Sequence, residues 1–571
     1  MKILEKISNF GWKKIILLLI IVVSFIALIQ PYFHSGFPYT HDGENHLARF
    51  ANYKIAVKEG QFPPRVGPNL LNHYGYPVFN YNYPLANILS LPFSFLKIHY
   101  EITFKILAVG FLLGGGLGLW QWMKILKVDD FAKKCLILAS FYLNPFIVNL
   151  IYVRGNIGEL LAVNLLLMIM ASLEYFKQQK INSRKSAVSQ FLLLGLVICF
   201  LLSHNIAAVF GSGLLVMYVF YRFWNDKKRL FLLGKMFILS FLSCLWFWLP
   251  AIAEKHLIIL DNSDITHQYT QHFPSLSQLL VAPLEFGFSF VGSVDSMSFA
   301  VGLLNWGLLV VSSLFLLKKK KLKSLAGWLL FSCWLLIIFQ LSVTNFVWKI
   351  LPVVHYLQFP WRLSLFLSVI LPLAVSVSLP KLNKKLLTFF FLILMTQLIN
   401  VWRFRPADYF HRERVAYDLF SQSSSTMNEN MTKVFDLYKI HDFWKPQPII
   451  VQGAGEFTVE HWTGSSRRYQ LNLTEPSTVV EPTMLFAGWQ TWVNGDKIEY
   501  ALNDETGGRL AYKLPAGQYQ IKTRFTQRTW PRIVGNSVST ATVVGAIFIL
   551  IIPCCLQRGK NQNGGTPPGD H

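Results

Sequence analysis

Four ionisable residues lie close together in the loop that follows the first long apolar run of the chain. They are Asp42, Glu44, His46 and Arg49, within the stretch HDGENHLAR. A carboxylate can accept a proton from a hydroxyl nucleophile, and cationic side chains can stabilise an anionic leaving group. Ionisable residues beside a membrane-spanning segment are costly to keep there and are often functional. The residue types and their spacing therefore favour a catalytic or binding site in this loop.

A structural role is the alternative for the two acidic residues. Acidic side chains stabilise helix N-termini, and a helix is predicted from about Asn45, so Asp42 and Glu44 could cap it. Two carboxylates with His41 and His46 nearby exceed what a cap requires. We therefore favour a functional role for the pair.

Further polar residues stand at the predicted ends of later apolar runs. Arg154 and Glu159 lie in YVRGNIGE, and they suit either a site or a structural ion pair. His204 is expected to be a hydrogen-bonded residue at a helix end rather than a metal ligand. Arg362, in QFPWR, suits either a contact with a lipid phosphate or an anchor at the membrane interface. Other polar residues predicted at the same face are Glu254, Lys255, His256, Glu285, Gln358 and Trp361.

The composition is that of a membrane protein. Of the 571 residues, 53% are hydrophobic and 15% are charged, whereas about a quarter of the residues in a soluble domain are charged. The net charge of +23 comes from Lys and Arg residues that lie mostly in short loops between apolar runs, as the positive-inside rule describes. Because the basic residues do not gather on one amphipathic face, nucleic acid is not an expected partner.

The cysteines do not indicate a disulfide framework. The long polar segments contain none, so neither disulfides nor a cysteine-based zinc site is expected there. Cys554 and Cys555 close the last apolar run and are candidates for palmitoylation, although small apolar residues in a helix are the simpler interpretation. The cysteines are Cys135, Cys199, Cys244, Cys333, Cys554 and Cys555.

The apolar runs predict about twelve membrane-spanning helices. Every basic loop between them then falls on one side, which places both termini in the cytoplasm. The loop 31–83 is exoplasmic in this topology, and the short segment 84–96, with two prolines, is predicted to be an interfacial helix. The predicted spans are 14–30, 102–120, 135–152, 158–175, 188–203, 206–223, 235–252, 299–317, 325–342, 361–379, 384–402 and 537–556.

The predicted fold is a polytopic α-helical membrane protein with a small exoplasmic β-sandwich near the C-terminus. Alternating segments such as GEFTVEHW and RRYQLNLT, with an Asn494-Gly495 turn, predict the strands. The predicted units are a transmembrane domain at 1–402, an exoplasmic domain at 403–533 with its β-sandwich core at about 446–525, a last transmembrane helix at 534–556 and a disordered cytoplasmic tail at 557–571.

Several stretches resemble one family of bacterial polytopic proteins, known as 6-pyruvoyl-tetrahydropterin synthase-related membrane proteins. They are HDGENHLARFANYKIAVKEGQFPPR, GYPVFNYNYPL, YVRGNIGE and LPVVHYLQFPWR. That family resembles part of the GT-C superfamily of membrane glycosyltransferases. The segment MLFAGWQTWVNGDKIEY is similar to the extracellular domain of YfhO-type members, which glycosylate cell-surface polymers. The pterin label implies no such activity here, because no soluble enzyme domain is visible.

The resemblance implies a GT-C-like fold and a polyprenyl-phosphate-linked sugar donor. Such enzymes place an essential acidic residue in the first outer loop, which is the place of Asp42, with Glu44 beside it. A second acidic position in the next outer loop is the place of Glu159. The sequence has Asp-Gly-Glu where the family form is Asp-Asp or Asp-Glu, so which carboxylate is the base stays open.

The predicted function is transfer of a sugar to a cell-envelope glycan or lipid at the outer face of a bacterial cytoplasmic membrane. The acidic pair Asp42 and Glu44 could instead bind a divalent cation, magnesium or manganese, that neutralises the leaving phosphate. No other cofactor is expected. The predicted catalytic residues are Asp42, Glu44 and Glu159, and the predicted residues for the donor phosphate are His46, Arg49, Arg154, His204 and Arg362.

Two other functions fit a polytopic protein of this kind. One is a transporter or flippase for a lipid-linked saccharide, and the other is a non-catalytic assembly protein. Transporters tend to have internal repeats and ionisable residues at mid-bilayer depth, and the sequence shows neither. The gathering of charged residues at one predicted face favours the enzyme.

Overall fold

A computed structural model of the chain describes residues 11–181, 183–262, 268–290, 295–425, 427–501 and 506–562. The protein is mostly helical, with 60% of its residues in helices, and it has a β-rich region near the C-terminus. The helices are α1 Trp12–Ile29, α2 Gly43–Lys58, α3 Val78–Tyr81, α4 Leu85–Phe95, α5 Tyr100–Ile125, α6 Phe131–Tyr142, α7 Pro145–Asn149, α8 Ile157–Gln178, α9 Arg184–Leu201, α10 Asn205–Phe223, α11 Lys227–Ser243, α12 Leu245–Ala253, α13 Leu276–Leu280, α14 Leu303–Lys318, α15 Leu325–Ile338, α16 Asn345–Ile350, α17 Ser364–Ser378, α18 Lys384–Arg403, α19 Arg414–Asp418 and α20 Trp530–Gln562.

Eight helical stretches within the described ranges are long and apolar enough to cross a membrane, and there are up to ten if each of two bent pairs is one span. The bent pairs are α11 with α12, at 64°, and α15 with α16, at 90°. The predicted span 299–317 falls on α14, which has 16 residues, and the predicted span 537–556 falls on α20. Neither helix is among these candidates. The predicted count of about twelve spans is therefore not confirmed.

The helix α8 lies at the centre of the helical part, with almost every residue buried. It packs closely against the glycine-rich middle of α5 because side chains are missing there. A Cβ atom on Gly115 would lie 1.9 Å from Oδ1 of Asn164, and one on Gly118 would lie 3.0 Å from the backbone of Met168. The sequence GGGLG in α5 therefore sets how near α8 can come.

The predicted span 135–152 is a broken helix. The helix α6 ends at Tyr142, and α7 begins at Pro145, which suits the first helical position. Between them, the side chain of Asn144 accepts a hydrogen bond from the amide of Phe146. A π-helical turn, Leu150–Arg154, follows and ends at Gly155, whose φ is +62°. The break and the glycine turn direct the chain from α7 into the N-terminus of α8.

The first loop is itself helical over α2 and is tied to distant parts of the chain. Its strand β1, Phe37–Pro38, pairs with β2, Tyr409–Phe410, just after α18. The segment predicted as an interfacial helix contains α4, whose 11 residues are too few to cross about 30 Å of hydrocarbon. The helix α2 of the first loop packs against α4.

The β-rich region consists of two antiparallel sheets, with strand orders β4-β5-β10-β7-β8 and β3-β6-β9. Side chains from both sheets form one apolar cluster, which includes Tyr469, Leu471, Val479, Tyr512 and Ile521. This packing is that of a small sandwich. The strands are β3 Ile449–Gln452, β4 Gly455–Trp462, β5 Ser466–Leu473, β6 Ser477–Met484, β7 Trp489–Val493, β8 Asp496–Ile498, β9 Arg509–Leu514 and β10 Gly517–Phe525.

The last helix differs from its predicted bounds at both ends. It begins at Trp530 because Pro531 suits the first turn of a helix. It continues to Gln562, past the predicted start of the disordered tail at 557, although Pro553 and Gly559 lie within it. Residues 563–571 lie outside the described part of the chain, and so do the side chains of Cys554 and Cys555.

Candidate functional site

The carboxylate of Glu159 is at the centre of a buried ionic cluster. Glu159 is 1% exposed, and both of its oxygens accept hydrogen bonds from the guanidinium of Arg154, one of them at 3.0 Å. The Nε atom of Arg362 lies 3.4 Å from Glu159 Oε1, and Nε2 of His204 lies 3.7 Å from the same oxygen. The fold therefore brings together one carboxylate, two guanidinium groups and one imidazole from three separate segments.

The turn at Gly155 places Arg154 and Glu159 beside each other. A Cβ atom on Gly155 would lie 2.2 Å from Oγ1 of Thr40, and its positive φ also favours glycine. One turn further on, a Cβ atom on Gly158 would lie 2.3 Å from the ring of Tyr83. The glycines of YVRGNIGE are needed for this close approach to the first loop.

The first loop is fastened to this turn through its backbone. The amide of His41 donates to the carbonyl of Val153, and the amide of Asp42 donates to the carbonyl of Arg154, both at 2.9 Å. The side-chain nitrogen Nδ2 of Asn156 donates to Asp42 Oδ2 at 3.2 Å. The Oδ1 atom of the same side chain accepts from the backbone amide of Glu159. One asparagine side chain thus joins the half-buried Asp42 to the N-terminus of α8.

Asp42 does not cap α2 with its side chain. It stands at the N-cap position, but its carboxylate accepts no hydrogen bond from the first turn of the helix. The hydroxyl of Thr40 accepts from the amide of Gly43 instead, at 3.0 Å. The capping interpretation of Asp42 is therefore wrong for its side chain, which is directed to Asn156.

Two buried histidines and a tyrosine line the same region. The hydroxyl of Tyr83 donates to Oδ1 of Asn156 at 3.3 Å and lies 3.4 Å from Nε2 of His46. The ring of His204 lies 4.6 Å from that of Tyr83. Burial, together with Arg362 and Arg154, lowers the pKa of His204 to about 3, against the opposing effect of Glu159. Both histidines are neutral at pH 7, since burial and Arg49 also lower the pKa of His46 well below its usual range.

The two guanidinium groups of the cluster lie against aromatic rings. The guanidinium carbon of Arg154 lies 4.9 Å from the centre of the Trp361 ring, and that of Arg362 lies 5.0 Å from the Phe359 ring. Arg362 also donates to the side chain of Gln358 at 2.8 Å. The QFPWR stretch therefore fixes both cations by stacking, which restricts them to one orientation.

Glu44 and Arg49 are turned away from this cluster. Glu44 forms an ion pair of 2.6 Å with Arg412, and about half of the Arg412 side chain is exposed. The side chain of Arg49 is buried and donates from Nε to the hydroxyl of Ser424 at 3.1 Å, and also to its carbonyl. The structure therefore gathers Asp42, His46, Arg154, Glu159, His204 and Arg362, but not Glu44 or Arg49, around one centre.

Glu254 belongs to a second buried cluster. Its Oε2 accepts from Arg532 at 2.8 Å and from Asn80 at 3.0 Å, and its Oε1 accepts from Thr529 at 2.6 Å. Arg532 is fully buried. This cluster joins the first loop, the end of α12 and the start of α20, and it fastens the last helix to the rest of the protein.

A cavity of about 660 Å³ lies between α18 and the segment that follows α13. Its wall includes Glu285, Phe286, Asn400 and Arg403. The ring of Phe286 lies 5.4 Å from that of His41, the neighbour of Asp42. A mostly apolar cavity with a few polar groups, placed beside ionisable residues, is the usual form of a small-molecule site.

Sequence reasoning did not identify Asn156 and Tyr83 as members of the site. Asn156 could have been found as the N-cap of α8, because asparagine before an apolar run is a helix start signal. Its second contact, with Asp42, has no local signal in the sequence. Tyr83 lies in GYPVFNYNYPL, one of the stretches that carry the family resemblance.

The model of a family described as the 6-pyruvoyl-tetrahydropterin synthase related domain, a membrane protein, matches residues 79–404. The chain belongs to this family. The match includes Arg154, Glu159, His204 and Arg362, whereas Asp42 precedes it. No curated protein and no solved structure matches the chain.

Proposed function

We propose that this membrane protein is a glycosyltransferase of the GT-C type. It moves a sugar from a polyprenyl-phosphate-linked donor to a cell-envelope glycan or lipid at the outer face of a bacterial cytoplasmic membrane. The observation that carries the proposal is the half-buried carboxylate of Asp42, held by Asn156 beside the buried cluster of Arg154, Glu159 and Arg362. A carboxylate that can accept a proton stands next to cations that can bind a phosphate.

In the proposed reaction, the acceptor hydroxyl gives its proton to the carboxylate of Asp42 as its oxygen attacks the anomeric carbon of the donor. The bond between that carbon and the phosphate oxygen breaks, and polyprenyl phosphate leaves with the bonding electrons. The guanidinium groups of Arg154 and Arg362 stabilise the charge that develops on the phosphate. At the end of the step the sugar is bound to the acceptor oxygen, the proton to Asp42, and the bonding electrons remain on the phosphate.

Asp42 suits the role of base better than the other two carboxylates. Glu159 is 1% exposed, and both of its oxygens are occupied by Arg154. Glu44 is paired with Arg412 and is turned away from the two arginines of the cluster. Glu159 is then a positioning residue that orients the two arginines, and Glu44 positions the segment after β2.

The proposal includes the finer topology, with about twelve spans and both termini cytoplasmic. The short basic loops between the apolar helices support this orientation. The cavity beside Phe286 is a candidate for the acceptor or donor sugar, because Phe286 in its wall contacts His41, the neighbour of Asp42. A divalent cation at Asp42 remains an alternative way to neutralise the phosphate.

A direct test measures release of polyprenyl phosphate by purified protein in lipid nanodiscs, supplied with polyprenyl-phosphate sugars and extracted envelope material. The expected result is release by the wild type and a loss of about 100-fold or more in Asp42→Asn, which is the usual size of a general-base effect. Asp408→Asn is a matched control, because Asp408 is exposed and lies on the neighbouring segment. Full activity in Asp42→Asn protein would overturn the assignment of the base.

A further inference from the structure

We propose that His99, Glu101 and His411 form a binding site for a divalent transition metal of the zinc class. Nδ1 of His411 lies 3.0 Å from Oε2 of Glu101, and Nδ1 of His99 lies 3.8 Å from the same oxygen. One ligand atom from each of the three residues falls within 4.8 Å of the others. A metal ion between them would need only small side-chain movements to reach all three.

Two imidazoles and one carboxylate are a ligand set that zinc uses in sites with an open fourth position. Imidazole ligands favour zinc, copper, nickel or iron, whereas magnesium and calcium prefer an all-oxygen set. The side chain of Glu101 is 4% exposed and that of His411 is 63% exposed. The Glu101 side of the site is therefore buried, and the His411 side is open to solvent, so that an ion can enter there.

Contacts around the three residues orient their ligand atoms. Nε2 of His99 lies 3.0 Å from the carbonyl of Arg412, so this nitrogen carries the proton and Nδ1 is left as the acceptor. Oε1 of Glu101 accepts from the hydroxyl of Tyr417 at 2.9 Å and from the amide of Arg412 at 3.1 Å. That leaves Oε2 directed at the two histidines. Such outer contacts are typical of metal sites and are not needed for a simple ion pair.

Two existing contacts would be exchanged when a metal binds. The amide of Glu101 donates to Nδ1 of His99 over a long distance of 3.3 Å, and the ion would take its place. Nδ1 of His411 now lies beside Oε2 of Glu101, and it would become a ligand when the imidazole carries its proton on Nε2 instead. Binding therefore replaces two existing contacts, one of which is a long hydrogen bond.

The site would fasten the start of α5 to the segment that follows β2. His411 comes directly after β2, and its neighbour Arg412 pairs with Glu44 in the first loop. A bound ion would fix this segment against the helical part of the protein. The role is structural, and it does not depend on the proposed sugar transfer.

The test uses the full chain, purified without a histidine tag in nanodiscs, stripped with a chelator and dialysed against Zn²⁺. Metal content per protein and the visible absorption after Co²⁺ substitution report binding and coordination. We expect one ion per protein in the wild type and an affinity at least tenfold weaker in His411→Ala, whose exposed side chain can be removed without disturbing the fold. We also expect zinc to raise the Tm of the wild type but not of the variant.

His256→Ala is the matched control, because it removes an exposed histidine that is not part of the cluster. It should bind zinc as the wild type does. Glu101→Gln, a second variant, keeps the shape of the buried side chain and should also lose the ion. Equal zinc content in wild-type and His411→Ala protein, or no ion in the wild type at micromolar zinc, would overturn the proposal.

Discussion

The backbone amide of Asp42 donates a 2.9 Å hydrogen bond to the carbonyl of Arg154, so the first loop and the turn before α8 share one framework. The position of the proposed base therefore depends on the turn that carries the proposed phosphate-binding arginine. Any change that moves this turn should act on both groups together.

Gly155→Ala should lower stability and activity at once. Residue 155 has a φ of +62°, and a Cβ atom there would lie 2.2 Å from Thr40 Oγ1. Backbone strain of this kind costs about 1–3 kcal/mol. Thermal unfolding and polyprenyl phosphate release measure the two effects. In the control Gly213→Ala the new Cβ meets no atom within 4 Å, and a helical glycine is replaced by a better helix former, so its Tm should not fall.

Glu159→Gln should be strongly destabilising. Removing the charge of Glu159 leaves the guanidinium of Arg154 buried without its partner, which costs about 3–5 kcal/mol in buried ion pairs. The double variant Arg154→Met with Glu159→Leu should recover part of that stability, because it also removes the buried charge of Arg154 and leaves only Arg362 without its carboxylate partner. It should stay inactive if Arg154 binds the donor phosphate. A double variant as unstable as Glu159→Gln would contradict the charge argument.

Glu44→Gln should lower the transfer rate less than Asp42→Asn does. The ion pair of Glu44 with Arg412 is partly exposed, and exposed pairs contribute about 0–1 kcal/mol. Asp42 instead carries the proposed proton transfer. Rates of polyprenyl phosphate release by the two variants, compared at equal expression, check the order. A larger loss in Glu44→Gln would move the role of base to Glu44.

Stability should fall as the pH drops below about 6.5. The pKa of His204 is about 3 in the folded protein, well below its ordinary value, so folding favours the neutral form. The unfolded chain takes up a proton as the pH falls through its own pKa, while the folded protein does not. For one proton the free energy of unfolding then decreases by about 1.4 kcal/mol per pH unit. Tm measured from pH 7 to pH 5 checks this.

The matched comparison for that pH dependence is His204→Asn against His256→Ala. Asparagine at 204 can still accept a hydrogen bond at the N-cap of α10, where the imidazole now accepts from Ala207. The slope of Tm with pH should become shallower in His204→Asn and stay unchanged in His256→Ala. The same slope in all three proteins would show that His204 does not titrate as the structure implies.

The class of the protein, its family and most of its helices could be predicted from sequence, because apolar runs and basic loops are local signals. The exact number of spans could not. Hydropathy does not detect the sharp bends between α11 and α12 and between α15 and α16, and α14 has only 16 residues. Such breaks depend on which neighbours satisfy the freed backbone groups.

The site was predictable in part for the same reason. Arg154 and Glu159 are five residues apart, so their pairing has a local origin. Arg49 and Ser424 are 375 positions apart, and His411 and Glu101 are 310 apart. Nothing in either segment indicates these partners. The residue types therefore indicate which side chains are candidates for a function. The choice between Asp42 and Glu44 depends on the contacts that each makes in the folded protein.

The contacts of the first loop with the segment after β2 also have a consequence for biosynthesis. Arg49 is made near the start of translation, and the ribosome must add 375 more residues before Ser424 exists. The ion pair between Lys54 and Asp418 likewise spans 364 positions. Most of the helices are synthesised in that interval. The loop of Asp42 therefore completes these contacts only after about three quarters of the chain has been made, and a chain that ends before Asp418 can form neither of them.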